Sequence, residues 1–212
     1  MQALRRPFCR MHVLTLGSRS IPAPVRNLKY TTTTPPSWDT YISETASLSP
    51  YVPTPPMAAN ILLDNLLQIQ TENGSSRYTA HIELGCGEGN LNAAALSRGF
   101  EKSFGYDSDE RVLKIAISKL PEAQFQLCDL TQSPNTIVEK VKGLVTGGDS
   151  IIMTMYFVED GLEKIRESIL EETIKHADIV TIGYEVPGWE ERGGVVGGNV
   201  LGVEWFVYSR RK

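Results

Sequence analysis

The stretch His81-Ile82-Glu83-Leu84-Gly85-Cys86-Gly87-Glu88-Gly89-Asn90 closes an apolar run with an acid and then sets three glycines at alternate positions. Glycine adopts φ > 0 without steric cost and lets the backbone turn tightly beside a ligand. Asp107 follows 22 residues after Gly85, at the end of the next strand-like run, Phe104-Gly105-Tyr106. A carboxylate at the tip of a second strand accepts hydrogen bonds from both hydroxyls of a ribose. Turn and acid together predict an α/β sheet that binds an adenosine-containing cofactor.

A dinucleotide site asks for G-x-G-x-x-G, with a helix N-terminus facing pyrophosphate. Here the spacing is G-x-G-x-G and Glu83 precedes it. That acid repels a pyrophosphate but accepts hydrogen bonds from the ammonium of an amino-acid-bearing cofactor such as S-adenosylmethionine. The pattern resembles motif I of the seven-stranded (class I) S-adenosylmethionine-dependent methyltransferases, acid-x-G-x-G-x-G. The resemblance places Asp107 as the ribose-binding acid. It places Asp129, which ends Gln126-Leu127-Cys128-Asp129-Leu130, against the adenine amino group.

The remaining pattern alternates strands and helices. Thr54 is the expected N-cap of a helix carrying Ala58, Leu62, Leu66 and Ile69, with prolines in its first turn. Strands are expected at about 79–84, 102–106, 123–128, 150–156 and 178–183. Helices are expected over 90–97, 109–119 with a stripe of Val112, Ile115, Ala116 and Leu120, 134–144, and 161–176 with Leu162, Ile165, Ile169 and Ile174 packed. Such alternation gives a Rossmann-like, doubly wound, mostly parallel sheet covered on both faces. The C-terminal part breaks the rhythm. A short strand over Tyr184–Trp189, a glycine turn over 192–199 and a final strand over 200–209 predict an antiparallel hairpin.

Charge divides the chain. Residues 1–38 hold six Lys/Arg and no Asp or Glu, leaving 15 basic and 25 acidic residues of the totals of 21 and 25, a formal charge of −10 from residue 39 onward. An Arg-rich, Ser/Thr-bearing, acid-free N-terminus has the composition of a mitochondrial transit peptide; a basic arm for anionic partners is the alternative. Residues 39–56 read as linker and 57–212 as the methyltransferase domain. No run of about 18 apolar residues occurs, so no transmembrane segment is expected, though peripheral membrane contact stays open. An acidic domain argues against a nucleic-acid partner. Cys9, Cys86 and Cys128 show no metal-ligand spacing, so no metal is expected.

Pro50-Tyr51-Val52-Pro53, the missing helix near the end and Pro187-Gly188-Trp189 together look like one subfamily. They resemble the small mitochondrial protein-lysine methyltransferases that act on ATP synthase subunit c and the adenine nucleotide translocase. The chain departs from that pattern in carrying Glu83 for Asp, Asp107 for Glu, and Tyr184-Glu185-Val186 in place of an aromatic-rich segment. The resemblance implies that Gly85, Gly87 and Gly89 shape the loop around the cofactor's amino-acid half and that Tyr51 and Thr54 close over it. It further implies that Tyr156 and Phe157 line the methyl-donor channel, and that Glu185 and Trp189 orient an incoming lysine of a protein substrate, including one at the inner membrane. A small-molecule methyltransferase and a non-catalytic, methyltransferase-like assembly factor remain the alternatives.

Overall fold

The computed structural model describes residues 48–72, 76–189, 192 and 195–210. The expected transit peptide and Cys9 lie outside them. The elements in chain order are α1 (Pro56–Glu72), β1 (Ala80–Leu84), α2 (Asn90–Ser97), β2 (Lys102–Asp107), α3 (Glu110–Lys119), β3 (Gln124–Leu127), α4 (Pro134–Thr146), β4 (Ile151–Met155) and α5 (Glu159–Ile165). A π-helical turn (Arg166–Leu170), α6 (Glu171–Thr173), β5 (Ala177–Ile182), β6 (Val195–Val200) and β7 (Val203–Tyr208) complete them.

The strands form a seven-stranded sheet in the order β3-β2-β1-β4-β5-β7-β6. β1 to β5 pair in parallel, and β7 runs antiparallel to both β5 and β6. β1 and β4 are buried along their whole length; β4 reads as a nearly continuous apolar run, and β1 alternates apolar residues with the buried His81 and Glu83. Side chains alternate between two cores. Ala80, Ile82 and Leu84 join Ile137, Val141, Leu162 and Ile169 on the face under α4 to α6. On the other face α1 and α2 pack Leu62, Leu63, Leu66, Leu91 and Ala95 against Ile152 and Val180. His81 and Glu83, out of step with the apolar positions of β1, point to this second face.

Chain order reverses between β1 and β4, so β1 is flanked by β2 on one side and β4 on the other. This switch point opens a crevice beyond the C-terminal ends of the strands, the usual place for a ligand in an open α/β sheet. α1 is fixed beside it by a two-pronged ion pair, Arg98 Nε to Asp64 Oδ1 at 2.7 Å and Nη2 to Oδ2 at 2.8 Å.

Three local expectations are corrected. Helix α1 starts at Pro56, with the Ala59 N–H donating to Pro55 O at 3.0 Å; Thr54 is not its cap, and its carbonyl accepts from Asn90 Nδ2 at 2.9 Å. In α3 the buried stripe is Leu113 and Ala116, while Ile115 is 39% exposed. The reason is that β3 is an edge strand with Gln124, Gln126 and Leu127 exposed, so α3 covers only a narrow strip of sheet.

In the hairpin, residues 184–189 are loop, and β6 runs through Gly197-Gly198 instead of turning there. The Trp205 ring fills the space a side chain at Gly197 would need, and a register shift between Val196 and Gly198 absorbs the extra residue. The turn falls at Leu201-Gly202, with φ of 55° and 88°, and Asn199 Oδ1 accepts from Gly202 N–H at 2.8 Å. Positive φ at both central residues matches the twist of a two-residue hairpin.

Candidate active site

The glycine loop is bound to the end of β2. Gly85 and Cys86 N–H both donate to Tyr106 O, at 2.8 and 3.0 Å. Gly87 N–H donates to Asp107 Oδ2 at 2.8 Å, and Asp109 N–H to Asp107 Oδ1 at 2.9 Å. Asp107 is therefore held by backbone on both oxygens, each of which keeps lone-pair capacity for a further donor. Gly85 and Gly87 have φ of 70° and 51°, and aromatic rings lie where their side chains would be: Phe157 against Gly85 and Tyr51 against Gly87.

A cavity of about 320 Å³ opens there, at the switch point. Glu83, Gly85, Gly87 and Asp107 line its inner end. Tyr51 and Thr54 close one side, Asp129 stands at the end of β3, and Tyr156 and Phe157 follow β4. Gly89 does not line it. That residue sits at the start of α2 with φ of 76°, covered by Phe125 and Leu120.

Glu83 is 5% exposed, and its Oε2 meets no hydrogen-bond partner. Burial, with a smaller push from the Asp107 charge, raises its carboxyl well above the usual range; the Asn92 backbone N–H acts the other way. Burial also raises Asp107, against the bonds from Asp109 and Gly87 N–H. Asp129 behaves oppositely. Its Oδ1 accepts from Thr131 Oγ1 at 2.7 Å and Thr131 N–H at 2.9 Å, which lowers its pKa. Arg111 is the basic residue on the cavity wall, and its guanidinium is paired with Asp109 at 2.7 Å.

The late segment is placed elsewhere. Trp189 is fully buried, donates from Nε1 to Glu171 Oε1 at 2.6 Å and meets Tyr208 edge-on at 5.1 Å. Val186 is buried too, its N–H donating to the Tyr208 hydroxyl at 2.9 Å. These contacts draw residues 184–189 onto the core under α5 and α6. Glu185, just before Val186, is exposed and does not line the cavity. Two residues went unnoticed in the sequence. Asn90 anchors Thr54, and Asn92 is fully buried beside Glu83; neither carries a motif, since an asparagine early in a helix reads as an ordinary capping residue.

A buried acid with an unmatched oxygen calls for a cation or a donor, and an acid fixed at the tip of β2 presents acceptors to a diol. A cofactor with an ammonium at one end and a ribose at the other fits both requirements. The glycines leave room for its backbone-side approach.

No protein-family model and no curated protein matches the sequence. Solved structures do resemble the fold. An RNA methyltransferase from Salinibacter ruber in complex with S-adenosyl-L-homocysteine aligns over 76% of this chain and 95% of its own, with 17% identity and a TM-score of 0.52. TrmN from Thermus thermophilus aligns over 72% of this chain and 49% of its own, with 16% identity and a TM-score of 0.50. The methyltransferase domain of bacterial CtHen1-CN aligns over 72% and 99%, with 15% identity and a TM-score of 0.50. The sheet, its order and its terminal hairpin are those of the class I methyltransferase fold.

Proposed function

We propose that this chain is an S-adenosylmethionine-dependent methyltransferase, and that its acceptor is a lysine side chain of a mitochondrial protein. One observation carries the first part: Glu83, buried and unmatched, lines the same cavity as Asp107, beneath a glycine loop that side chains would block. Glu83 would take the cofactor's ammonium, Asp107 its ribose hydroxyls and Asp129 its adenine amine, while Tyr51 and Thr54 cover the amino-acid end. A cavity of about 320 Å³ lies within the range for small-molecule sites. The fold, shared with structures described as methyltransferases, agrees.

The sulfonium supplies an activated methyl group. The chain's part is to hold donor and acceptor in line, an effect worth up to roughly 7–11 kcal/mol. A lysine reacts only after losing its proton, from a free pKa of about 10.4. Tyr156 and Phe157 present an aromatic wall at the end of β4, and desolvation against it favours the neutral amine.

The acceptor class rests on charge. Glu159 and Asp160 at the start of α5, Glu185 after β5 and Glu204 in β7 are exposed on segments at the C-terminal end of the parallel strands. Such a rim attracts a cationic side chain and repels a phosphate backbone. The acid-free basic segment 1–38 supports import into mitochondria, with the matrix or the matrix face of the inner membrane as the working location.

Incubating the full chain and radiolabelled methyl donor with extract from cells lacking the protein tests this reading. Label on a lysine of a mitochondrial protein is the expected outcome. Label in RNA or in a small-molecule fraction would replace the acceptor assignment. Failure of the folded protein to bind S-adenosylhomocysteine in a calorimetric titration would remove the enzymatic reading and favour a scaffold.

A further inference from the structure

A relay of buried side chains runs beside Glu83 on the face of the sheet under α1 and α2. His81, Asn92, Ser103 and Thr154 are all sealed from solvent, and none of them lines the cavity. His81 shares Glu83's side of β1, because side chains alternate along a strand. In register, Ser103 of β2 stands opposite His81, and Thr154 of β4 stands opposite Glu83. The imidazole therefore crosses β1 diagonally: Nδ1 meets Ser103 Oγ at 3.2 Å and Nε2 meets Thr154 Oγ1 at 2.8 Å.

One fixed end sets the direction of every bond. Asn92 Nδ2 lies 3.0 Å from Phe104 O, a carbonyl that only a donor can meet, so the amide nitrogen faces β2. The same nitrogen donates to Ser103 Oγ at 2.9 Å. Ser103 keeps its own proton for His81 Nδ1, which leaves His81 Nε2–H to donate to Thr154 Oγ1. Burial lowers His81 to about 3, so the ring stays neutral, as this order of donors requires.

The relay ends on α2 beside the cofactor cavity. No side chain caps that helix at Gly89, and its first turn is held instead by Asn90, bonded to Thr54 O, and by Asn92, bonded to β2. Asn92 is the third residue of α2, and the first four N–H groups of a helix have no partner within it. The Asn92 N–H acts on the Glu83 carboxyl, whose Oε2 meets no partner. The Asn92 side chain thus ties the turn to the sheet, and its main chain addresses the acid.

We propose that Asn92, tied to the sheet through Ser103 and His81, is a positioning residue for recognition of the cofactor's amino group: it holds the first turn of α2 where that turn fixes Glu83 and leaves Oε2 for the ammonium. This rests on the cofactor assignment above. None of the relay residues touches the cofactor; each acts through Glu83. Chains of buried hydrogen bonds rigidify the elements they join, which here are β2, β1, β4 and α2.

Two probes separate this role from packing alone. S-adenosylhomocysteine carries the amino group, while 5′-methylthioadenosine shares the adenosine and the thioether but has no amino-acid end. In calorimetric titrations of the full chain, Asn92→Ala and Ser103→Ala, their folds checked by circular dichroism, should each weaken S-adenosylhomocysteine about tenfold, the size of one net hydrogen bond, and leave 5′-methylthioadenosine within about twofold. Glu83→Gln should weaken S-adenosylhomocysteine by itself, and adding Asn92→Ala to it should cost little more, because both act on one contact. Equal weakening of both probes, no weakening of either, or full additivity with Glu83→Gln overturns the inference and leaves the methyltransferase reading intact. Should Asn92→Ala not fold, Ser103→Ala decides by the same comparison. A folded wild type that binds neither probe overturns the methyltransferase reading first, and one that binds both equally removes the ammonium from Glu83 and the inference with it.

Discussion

The Tyr51 ring lies against Gly87 so closely that a Cβ on the glycine would come within 2.9 Å of Tyr51 Cε2. Two segments 36 residues apart thereby form one wall of the cavity. Gly87→Ala must both strain a backbone at φ of 51° and push the ring aside. The strain alone costs roughly 1–2 kcal/mol. Thermal unfolding and S-adenosylhomocysteine titration should both show the loss, and Tyr51→Ala in the same chain should recover part of the binding deficit in a double-mutant cycle. Full additivity would mean that ring and loop are independent.

Asp107→Ala removes a carboxylate that accepts from two backbone N–H groups and faces the cavity. Loss of hydrogen bonds to a charged group predicts affinity for S-adenosylhomocysteine lower by about 1.5–3 kcal/mol, roughly ten- to 150-fold. Calorimetry checks it. An unchanged Kd would take Asp107 out of the ribose site.

Trp189 acts on stability and not on the cofactor. Trp189→Phe keeps an aromatic ring beside Tyr208 but loses the Nε1 bond to Glu171 and part of a buried indole, at a cost of about 1–3 kcal/mol. Urea unfolding should show that shift, while the Kd for S-adenosylhomocysteine stays within about twofold of wild type, as expected for a residue that does not line the cavity. The same insensitivity is expected of Glu185→Ala.

His81 makes the fold acid-sensitive. Burial lowers its pKa to about 3 in the folded protein, from an ordinary value of 6.5. A depressed pKa means that the stability is present above 6.5 and is lost as pH falls toward 3, because the unfolded chain binds the proton first. The full difference is on the order of 4–5 kcal/mol. Glu83 has the opposite sign: its raised pKa favours the fold at low pH, and that contribution is lost as pH rises through the folded value. From pH 7 to 4 the two contributions oppose each other, so urea midpoints are to be compared between the wild type and His81→Asn, whose side chain does not titrate. On acidification the wild-type midpoint should fall relative to that of the variant; midpoints that stay parallel would place the acid sensitivity elsewhere.

Much of the fold was written locally. β4 announces itself as an apolar run because both faces are buried, and the glycine loop announces itself because only glycine tolerates Phe157 and Tyr51 at its surface. The buried face of α5 and the π-turn also showed, in Leu162, Ile165 and Ile169, since a helix packed on a sheet keeps its period. The hairpin's position did not. Glycines signal a turn by default, and only the Trp205 ring across Gly197 makes a strand of them.

The sequence by itself determined the sheet, the turn and the acids at its edge, because each of these is set by backbone conformation and alternation within a few residues. Tertiary structure alone decided that Glu83 is buried with an unmatched oxygen, that Trp189 bonds Glu171 and that Glu185 stays clear of the cavity. Those outcomes depend on which side chains meet when separate segments pack, and on how burial then alters their charge. No local pattern encodes either.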